Sequence, residues 1–354
     1  MDTTSSKNTA ALPFSFTGRT GEYFRIWIVN VMLTIATLGV YSAWAKVRNK
    51  RYFYGNTSVD GAAFDYNADP AAILKGRLIA VAVLIVYSVT VQFVPATEPG
   101  FWILFLIGLP WLVVRALAFN ARNSSWRNIR FEFSSNYREA IKVFIGMPIL
   151  VVLSLGLAYP YFVCRQKAFV VNNSGYGTTE FDFNAEPGAF YSIYLKAFGL
   201  LIVISLLYLF VIPAIIPTAG ATDTAPPAPP SPEMLMLALL PLLVIMPLYM
   251  IFMTYIQTAT TNLVFNSSRL HDHTMISTLH TGRMFWIYVS NLVAIVCSLG
   301  LLIPWAKIRV ARYRAENLVL NTRSDLDEFV AGEQDRVKAT GEEIAEIFDV
   351  DLGL

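Results

Sequence analysis

The chain has 354 residues, of which 55% are hydrophobic and only 15% charged, with a mean hydropathy of +0.50. A soluble domain carries roughly 25% charged residues, so this composition points away from the cytosol and toward lipid. The formal charge of +2 conceals a segregation, because Lys and Arg lie throughout the polar segments as far as Arg314 while the tail 325–354 is acidic.

Met1 to Phe16 is polar and lacks the hydrophobic core of a cleavable signal, so 1–19 reads as a polar N-terminus with a short strand. Residues 20–76 hold an apolar segment, Ile26–Trp44, then a basic-aromatic stretch and a β-hairpin around Asp60-Gly61, a favoured turn dipeptide. Two runs, Leu78–Val94 and Phe101–Phe119, meet the roughly 20 apolar residues a bilayer crossing needs. With the linker PATEPG they form a transmembrane hairpin within 77–119.

A surface β segment at 120–139 follows, then 140–189 with the apolar Val143–Val163. A second transmembrane hairpin occupies 190–256, its runs Ala197–Ile216 and Met234–Ile256 joined by a Pro-rich linker at 217–233. The segment 257–283 carries all the histidines, 284–324 repeats the opening pattern with Met284–Ile303, and 325–354 is the acidic tail. Asp69-Pro70 and Glu186-Pro187 open helices, where the missing proline N–H costs nothing.

Self-comparison organises these parts. LGVYSAWAKVRNKRY (38–52) recurs as LGLLIPWAKIRVARY (299–313), and Asn30 recurs as Asn291. A weaker middle copy keeps Leu155-Gly156 and Arg165, and its FDFNAEPGA (181–189) matches FDYNADPAA (64–72). The units after the two hairpins, AFNARNSSWRNIRFEF (118–133) and VFNSSRLHDHTMISTL (264–279), also correspond. The expected fold is therefore an all-α integral membrane protein with internal repeats. It has four firm transmembrane helices in two hairpins, three further apolar segments giving up to seven spans, and short β-hairpins at the cytoplasmic surface. If the three further segments re-enter instead of crossing, all 27 Lys and Arg fall on one side, which the positive-inside rule favours; their length favours crossing. Both versions put the C-terminus in the cytoplasm.

These motifs resemble the YjgN family of bacterial inner-membrane proteins over about residues 14–354. The resemblance implies a multi-pass protein of the bacterial inner membrane and no particular activity. The middle repeat departs from the pattern, with Tyr161-Phe162-Val163 in place of Trp-Ala-Lys and Ala168 in place of the second Arg.

Three groups of residues are candidates for function. Trp44, Lys46, Arg48 and Arg51, with Trp305, Lys307, Arg309, Arg312 and the middle copy's Arg165, form basic-aromatic segments. They suit either interfacial anchoring on anionic headgroups or capture of a phosphate-bearing ligand or lipid headgroup. Asn30 and Asn291 sit inside apolar segments, where Asn bonds a neighbouring helix or lines a substrate path. His271, Asp272, His273 and His280 have the chemistry of a metal site, but a solvated loop is the preferred reading of them.

Cys164 and Cys297 form no ligand spacing and read as small buried hydrophobes. No enzyme motif is present, no cofactor is implied, and no nucleic-acid partner is expected. The acidic tail, with Ile344, Ile347 and Phe348 on one helical face, is expected to dock on the chain's own basic layer or on a cytoplasmic partner. Three functions remain open: a transporter, channel or lipid-handling protein with its path between the repeats; a membrane scaffold or sensor binding headgroups or a cytoplasmic partner; and, supported only by the histidines, an enzyme.

Overall fold

The computed structural model describes residues 10–215 and 232–351; side chains at 207–208, 211–245 and from 340 onward are not described. The expected Pro-rich linker 217–233, part of the Met234–Ile256 run, and the face of Ile344, Ile347 and Phe348 lie outside the described residues or side chains.

Ten short strands close into one antiparallel barrel. They are β1 (Ala10–Phe16), the hairpins β2–β3 (Thr57–Val59, Ala62–Tyr66), β4–β5 (Ser124–Trp126, Ile129–Phe133), β6–β7 (Ser174–Tyr176, Thr179–Phe183) and β8–β9 (Ser268–Leu270, His273–Ser277), and β10 (Leu318–Thr322). Closure is made by β10, which pairs with β9 on one side and with β1 on the other, Leu12 opposite Leu320. Left-handed residues turn the hairpins, among them Asp60-Gly61 (φ 51° and 70°) and Arg127-Asn128 (φ 48° and 65°). Such turns match the twist of paired strands.

This barrel corrects the expected fold class. The hairpins are not ornaments on an all-α bundle; they form a single closed sheet, which leaves no unpaired edge. Each strand gives one side chain to a ring inside it. Phe14, Phe64, Phe131, Phe181 and Met275 face Val59, Trp126, Tyr176, Leu270 and Leu320 across the ladders. Aromatic contacts run around this ring, as from Phe64 to Phe131 (6.4 Å) and from Phe131 to Tyr176 (5.3 Å).

A pair of helical segments precedes each β-hairpin and β10. They are α1 (Thr20–Ala36) and α2 (Ser42–Gly55); α3 (Pro70–Phe93) and α4 (Glu98–Arg122); α5 (Tyr137–Ile141), continued through a π-turn into α6 (Met147–Leu153), and α7 (Tyr159–Asn172); α8 (Pro187–Ile215) and α9 (Pro232–Asn266); and α10 (Thr281–Cys297) and α11 (Ile303–Glu316). The helices pack on one another in chain order, and α11 returns onto α1, closing a ring under the barrel. The same junction recurs at five places. The backbone N–H of Thr17, Asn67, Ser134, Asn184 and Thr278 donates to the carbonyl of Asn56, Asn123, Asn173, Ser267 and Asn317, respectively, at 2.7–3.0 Å. A last helix, α12 (Leu326–Asp351), starts across the turn end of the barrel, where Leu326, Phe329 and Val330 join the barrel core.

The three further apolar segments do not run through as spans, so the seven-span version is overturned. Each turns back at its Leu-Gly pair, where both residues are left-handed: Leu38 and Gly39 (φ 50° and 93°), Leu155 and Gly156 (51° and 90°), Leu299 and Gly300 (51° and 91°). The Gly N–H closes the finished helix by donating to the carbonyl of Thr34, Val151 or Ile295 at 2.7–2.8 Å, the Schellman pattern that glycine favours. The hydroxyl before each Leu (Thr37, Ser154, Ser298) then accepts from the N–H of Tyr41, Ala158 or Leu302, at 2.9–3.0 Å. The turn leucines are 94–96% exposed.

Three helices among the described residues are long and apolar enough to cross a bilayer: Pro70–Phe93, Pro95–Arg122 (α4 with the short 3-10 turn before it) and Pro187–Leu206. The most apolar stretch of Pro70–Phe93 buries none of its residues, so its hydrophobic surface faces outward all round, as lipid-facing helices do. Cys164 is buried as expected, but Cys297 is exposed.

Candidate functional site

The basic-aromatic segments divide into ties and free cations. Arg312 donates to the Gly18 carbonyl at 3.0 Å, and Arg51 occupies the matching position, donating to Tyr66 O at 3.4 Å. Both guanidiniums thus fasten the end of an inbound helix to the end of a barrel strand. Arg309 lies over Trp305 (5.1 Å) and bonds Ser290 and Asn291 on α10, and Arg165 pairs with Glu139 on α5 at 3.5 Å. Lys46, Arg48 and Lys307 are exposed, and Trp44 is 37% exposed. The first and third copies meet through Tyr23, Phe16, Ile308 and Ala315, a packed apolar cluster.

Asn30 donates to Asn49 at 3.1 Å, and Asn291 donates to the Ala306 carbonyl at 3.3 Å. Each ties the two arms of its own helix pair. The four metal candidates are not gathered. His271 and Asp272 are exposed at the β8–β9 turn, His273 points into the barrel, and His280 is exposed before α10. His271 is itself left-handed (φ 53°); it lies 3.8 Å from Asp272 and stacks on Phe329 of α12 at 6.1 Å, the same ring that His273 meets. Among the described residues no group of three or more His, Cys, Asp or Glu could hold a metal ion.

A cleft lies elsewhere, beside the diverged middle copy, between α7, α8 and α9. Its inner part is an apolar cavity of about 440 Å³ reaching from Leu155 at the helix turn to Phe198 and Phe252. Tyr159, Tyr194 and Ile256 are shared with a second cavity of about 440 Å³ nearer the barrel, whose wall includes Gln166, Lys167, Gln257, Thr260 and Thr261. One half is almost wholly hydrocarbon, and the other mixes these polar groups with Val163, Val264 and Phe265. Lys167 is half-buried, and no carboxylate pairs with it among the described residues. Gln257 is held by the Tyr288 hydroxyl at 2.8 Å.

The Trp-Ala-Lys signature does not point to this site, because the middle copy lacks it. A readable signal existed: Gln166-Lys167 aligns with Asn49-Lys50. Lys50, however, is engaged, donating to Asn120 at 2.6 Å and lying over the Tyr66 ring.

A smaller cavity, about 210 Å³, fills the barrel. Its wall is aromatic and aliphatic except for His273, which is 1% exposed and has neither ring nitrogen hydrogen-bonded. Phe265 of α9 lines both this cavity and the polar half of the cleft. At the turn end, Phe329 of α12 meets His273 edge-on at 4.9 Å.

The start of α12 is latched by Glu333, whose side chain is fully buried. It accepts from the Thr178 N–H (2.8 Å), the Thr178 and Thr179 hydroxyls (3.0 and 2.7 Å) and Arg336 (2.8 Å). Burial alone would raise its pKa; these hydrogen bonds and the Arg336 charge outweigh that and hold it below the usual carboxylate range. Arg127 adds a clasp, bridging Asp60 on the barrel and Asp327 on α12.

Comparison with known proteins places the chain. The family model described as "Bacterial protein of unknown function (DUF898)" matches residues 11–347. The chain belongs to this family. Among curated relatives it is 33% identical over 156 residues to "Inner membrane protein YjgN" of Salmonella typhimurium strain LT2, and 31% identical over 147 residues to the protein of that name from Escherichia coli K12. These matches cover 43% and 41% of this chain, and 38% and 37% of the relatives, so the chain matches well under half the length of either. No solved structure matches. The resemblance to YjgN read from the motifs holds. A membrane protein is supported by inner-membrane relatives together with three helices of crossing length.

Proposed function

We propose that this member of the DUF898 family handles lipid at a bacterial inner membrane, taking one anionic amphiphile at a time into the cleft between α7, α8 and α9. The observation that carries this reading is the adjoining pair of cavities, apolar toward the helix turn and mixed in polarity toward the barrel, with a Lys167 that no carboxylate among the described residues pairs in the mixed half. An ammonium without a carboxylate partner in a partly desolvated pocket favours an anionic headgroup. The apolar half would bury an acyl chain, at about 0.8 kcal/mol per CH₂. The path between repeats is then the gap beside the middle copy, and the ties at Arg51 and Arg312 hold the frame around it.

In this reading the pairs α3–α4 and α8–α9 cross the membrane. The other three dip into the leaflet with their turn leucines in hydrocarbon, and the barrel stands on the cytoplasmic side with both chain ends. Pairing of β1 with β10 supports a common side for the two ends.

The test is lipid analysis of protein purified in mild detergent. Wild type is expected to retain anionic phospholipid in preference to zwitterionic, and Lys167→Glu to reduce that retention at least five-fold with an unchanged melt. Equal retention by both proteins would leave the alternative, a scaffold or sensor reading the membrane through its exposed Lys46, Arg48 and Lys307. The topology is tested by reporters at Met1 and Leu354; opposite compartments would overturn it.

A further inference from the structure

The histidine inside the barrel is not explained by the lipid cleft. Around His273 every other polar side chain on the lumen wall is satisfied. The Trp126 indole N–H donates to the Ala62 carbonyl at 3.1 Å, and the Tyr176 hydroxyl donates to the Trp126 carbonyl at 3.1 Å. His273 alone brings a donor and an acceptor into the cavity and leaves both unmade. A buried polar group without a partner costs about 1–3 kcal/mol, and such a group in a native structure calls for an explanation.

Folding does not demand it. The matching positions, first in the outgoing strand of the other hairpins, are Ala62, Ile129 and Thr179, so small and aliphatic side chains serve there. Water is a poor occupant, because a buried water needs two to four polar partners and this wall offers one imidazole, with its nitrogens on different sides of the ring. Burial, with the nearby His271, lowers the His273 pKa against the opposing charge of Asp272. The ring is therefore neutral near pH 7 and disfavours an ionic partner.

We propose that the barrel lumen is a second binding site, for a small neutral aromatic molecule whose hydroxyl pairs with His273. Phe14, Phe64, Phe131 and Phe181 offer faces and edges for ring stacking. The volume of about 210 Å³ lies below the roughly 300 Å³ at which drug-sized pockets begin, which limits the occupant to one or two fused rings. Entry is at the turn end, where Leu326 and Phe329 form the cover and α12 is the element that lifts.

The chain has only three histidines, so ¹⁵N-histidine labelling of the full-length protein in detergent reads the site directly. The probes are 1-naphthol and its hydrocarbon counterpart, naphthalene. Saturable shifts of the His273 ring nitrogens by 1-naphthol are expected, with at least ten-fold weaker effects from naphthalene and none on His280. His273→Phe should abolish the difference between the probes. If that variant fails to fold, His271→Ala and His280→Ala assign the His273 signals by elimination, His271→Ala serving for assignment alone because His271 stacks on Phe329 of the cover at 6.1 Å. Unmoved His273 signals at saturating 1-naphthol, or equal shifts from naphthalene, would overturn the proposal. The lipid reading stands or falls separately, since it uses none of these signals.

Discussion

The first and third helix pairs and the middle one occupy equivalent places under the barrel, yet they use their inbound helices differently. In α2 and α11 the last arginine of the basic-aromatic segment reaches a backbone carbonyl at the end of a neighbouring strand, from Arg51 to Tyr66 and from Arg312 to Gly18. In α7 that position is Ala168, buried with Val163, Cys164, Phe183 and Phe190. The middle pair has exchanged a polar tie for an apolar plug, and its remaining lysine is left without a carboxylate beside an open cleft. Its hairpin β6–β7 also supplies Thr178 and Thr179 to the Glu333 latch. Divergence from the repeat, which the sequence alone presents as damage, coincides with an open cleft and with the contacts that hold α12.

Restoring the lost arginine is the severest way to break that contrast. Ala168→Arg places a charge in a site that is 9% exposed and lined by apolar side chains. A destabilisation of about 3–5 kcal/mol is expected, the range for uncompensated buried charge, seen as a large fall in melting temperature. A melt like wild type would mean that the middle pair accepts the same tie as its neighbours.

Next in size is the latch. Glu333→Ala removes several charge-assisted hydrogen bonds, each about 1.5–3 kcal/mol, and strands the Thr178 N–H. Limited proteolysis is expected to cut α12 far faster than in wild type while the helix ring stays intact. The same latch gives a pH signature. Because the folded pKa of Glu333 is depressed, its contribution is complete above the unfolded carboxylate value of about 4.3 and is lost as pH falls through the folded value. Acid-dependent release of α12 should therefore be present in wild type and flattened in Glu333→Gln; identical acid profiles would remove the latch from the account.

A smaller effect is expected at the ties. Arg312→Ala should cost about 1.5–2 kcal/mol, as for a hydrogen bond to a charged group, and Arg51→Ala less, its bond being longer. Equal costs at 51, 312 and a conservative change at 168 would erase the distinction among the copies. The smallest change in stability belongs to Lys167→Met, expected within about 0.5 kcal/mol because the ammonium has no carboxylate to lose. It should still lower anionic-lipid retention, and a large loss of stability without a change in lipid would reassign Lys167 to the frame.

Much of the local structure was legible. Asp60-Gly61 announced its hairpin, and Asp69-Pro70 announced a helix start, with Asp69 accepting from the Ala71 N–H at 2.9 Å. The Leu-Gly pairs marked breaks in the apolar segments, and the hydroxyl before each of them completes the turn. Barrel closure was not legible, because it depends on Leu12 lying opposite Leu320, a pairing that no local pattern encodes. That His273 lines the barrel was not legible either, because the lumen exists only once the sheet is closed. Lys50 and Lys167 occupy equivalent positions, and only packing separates the engaged amine from the free one.

The sequence by itself determined that this chain lives with lipid, that it is written in corresponding units, and that its apolar segments change character at Leu-Gly. Those properties follow from composition and from residues a few positions apart. Tertiary structure alone decided that the hairpins close into a barrel, that three apolar segments turn back, and that the cleft opens at the copy least like the others. Each of these depends on groups far apart in the chain competing for the same space and the same hydrogen bonds, and that competition is settled only when the ring is closed.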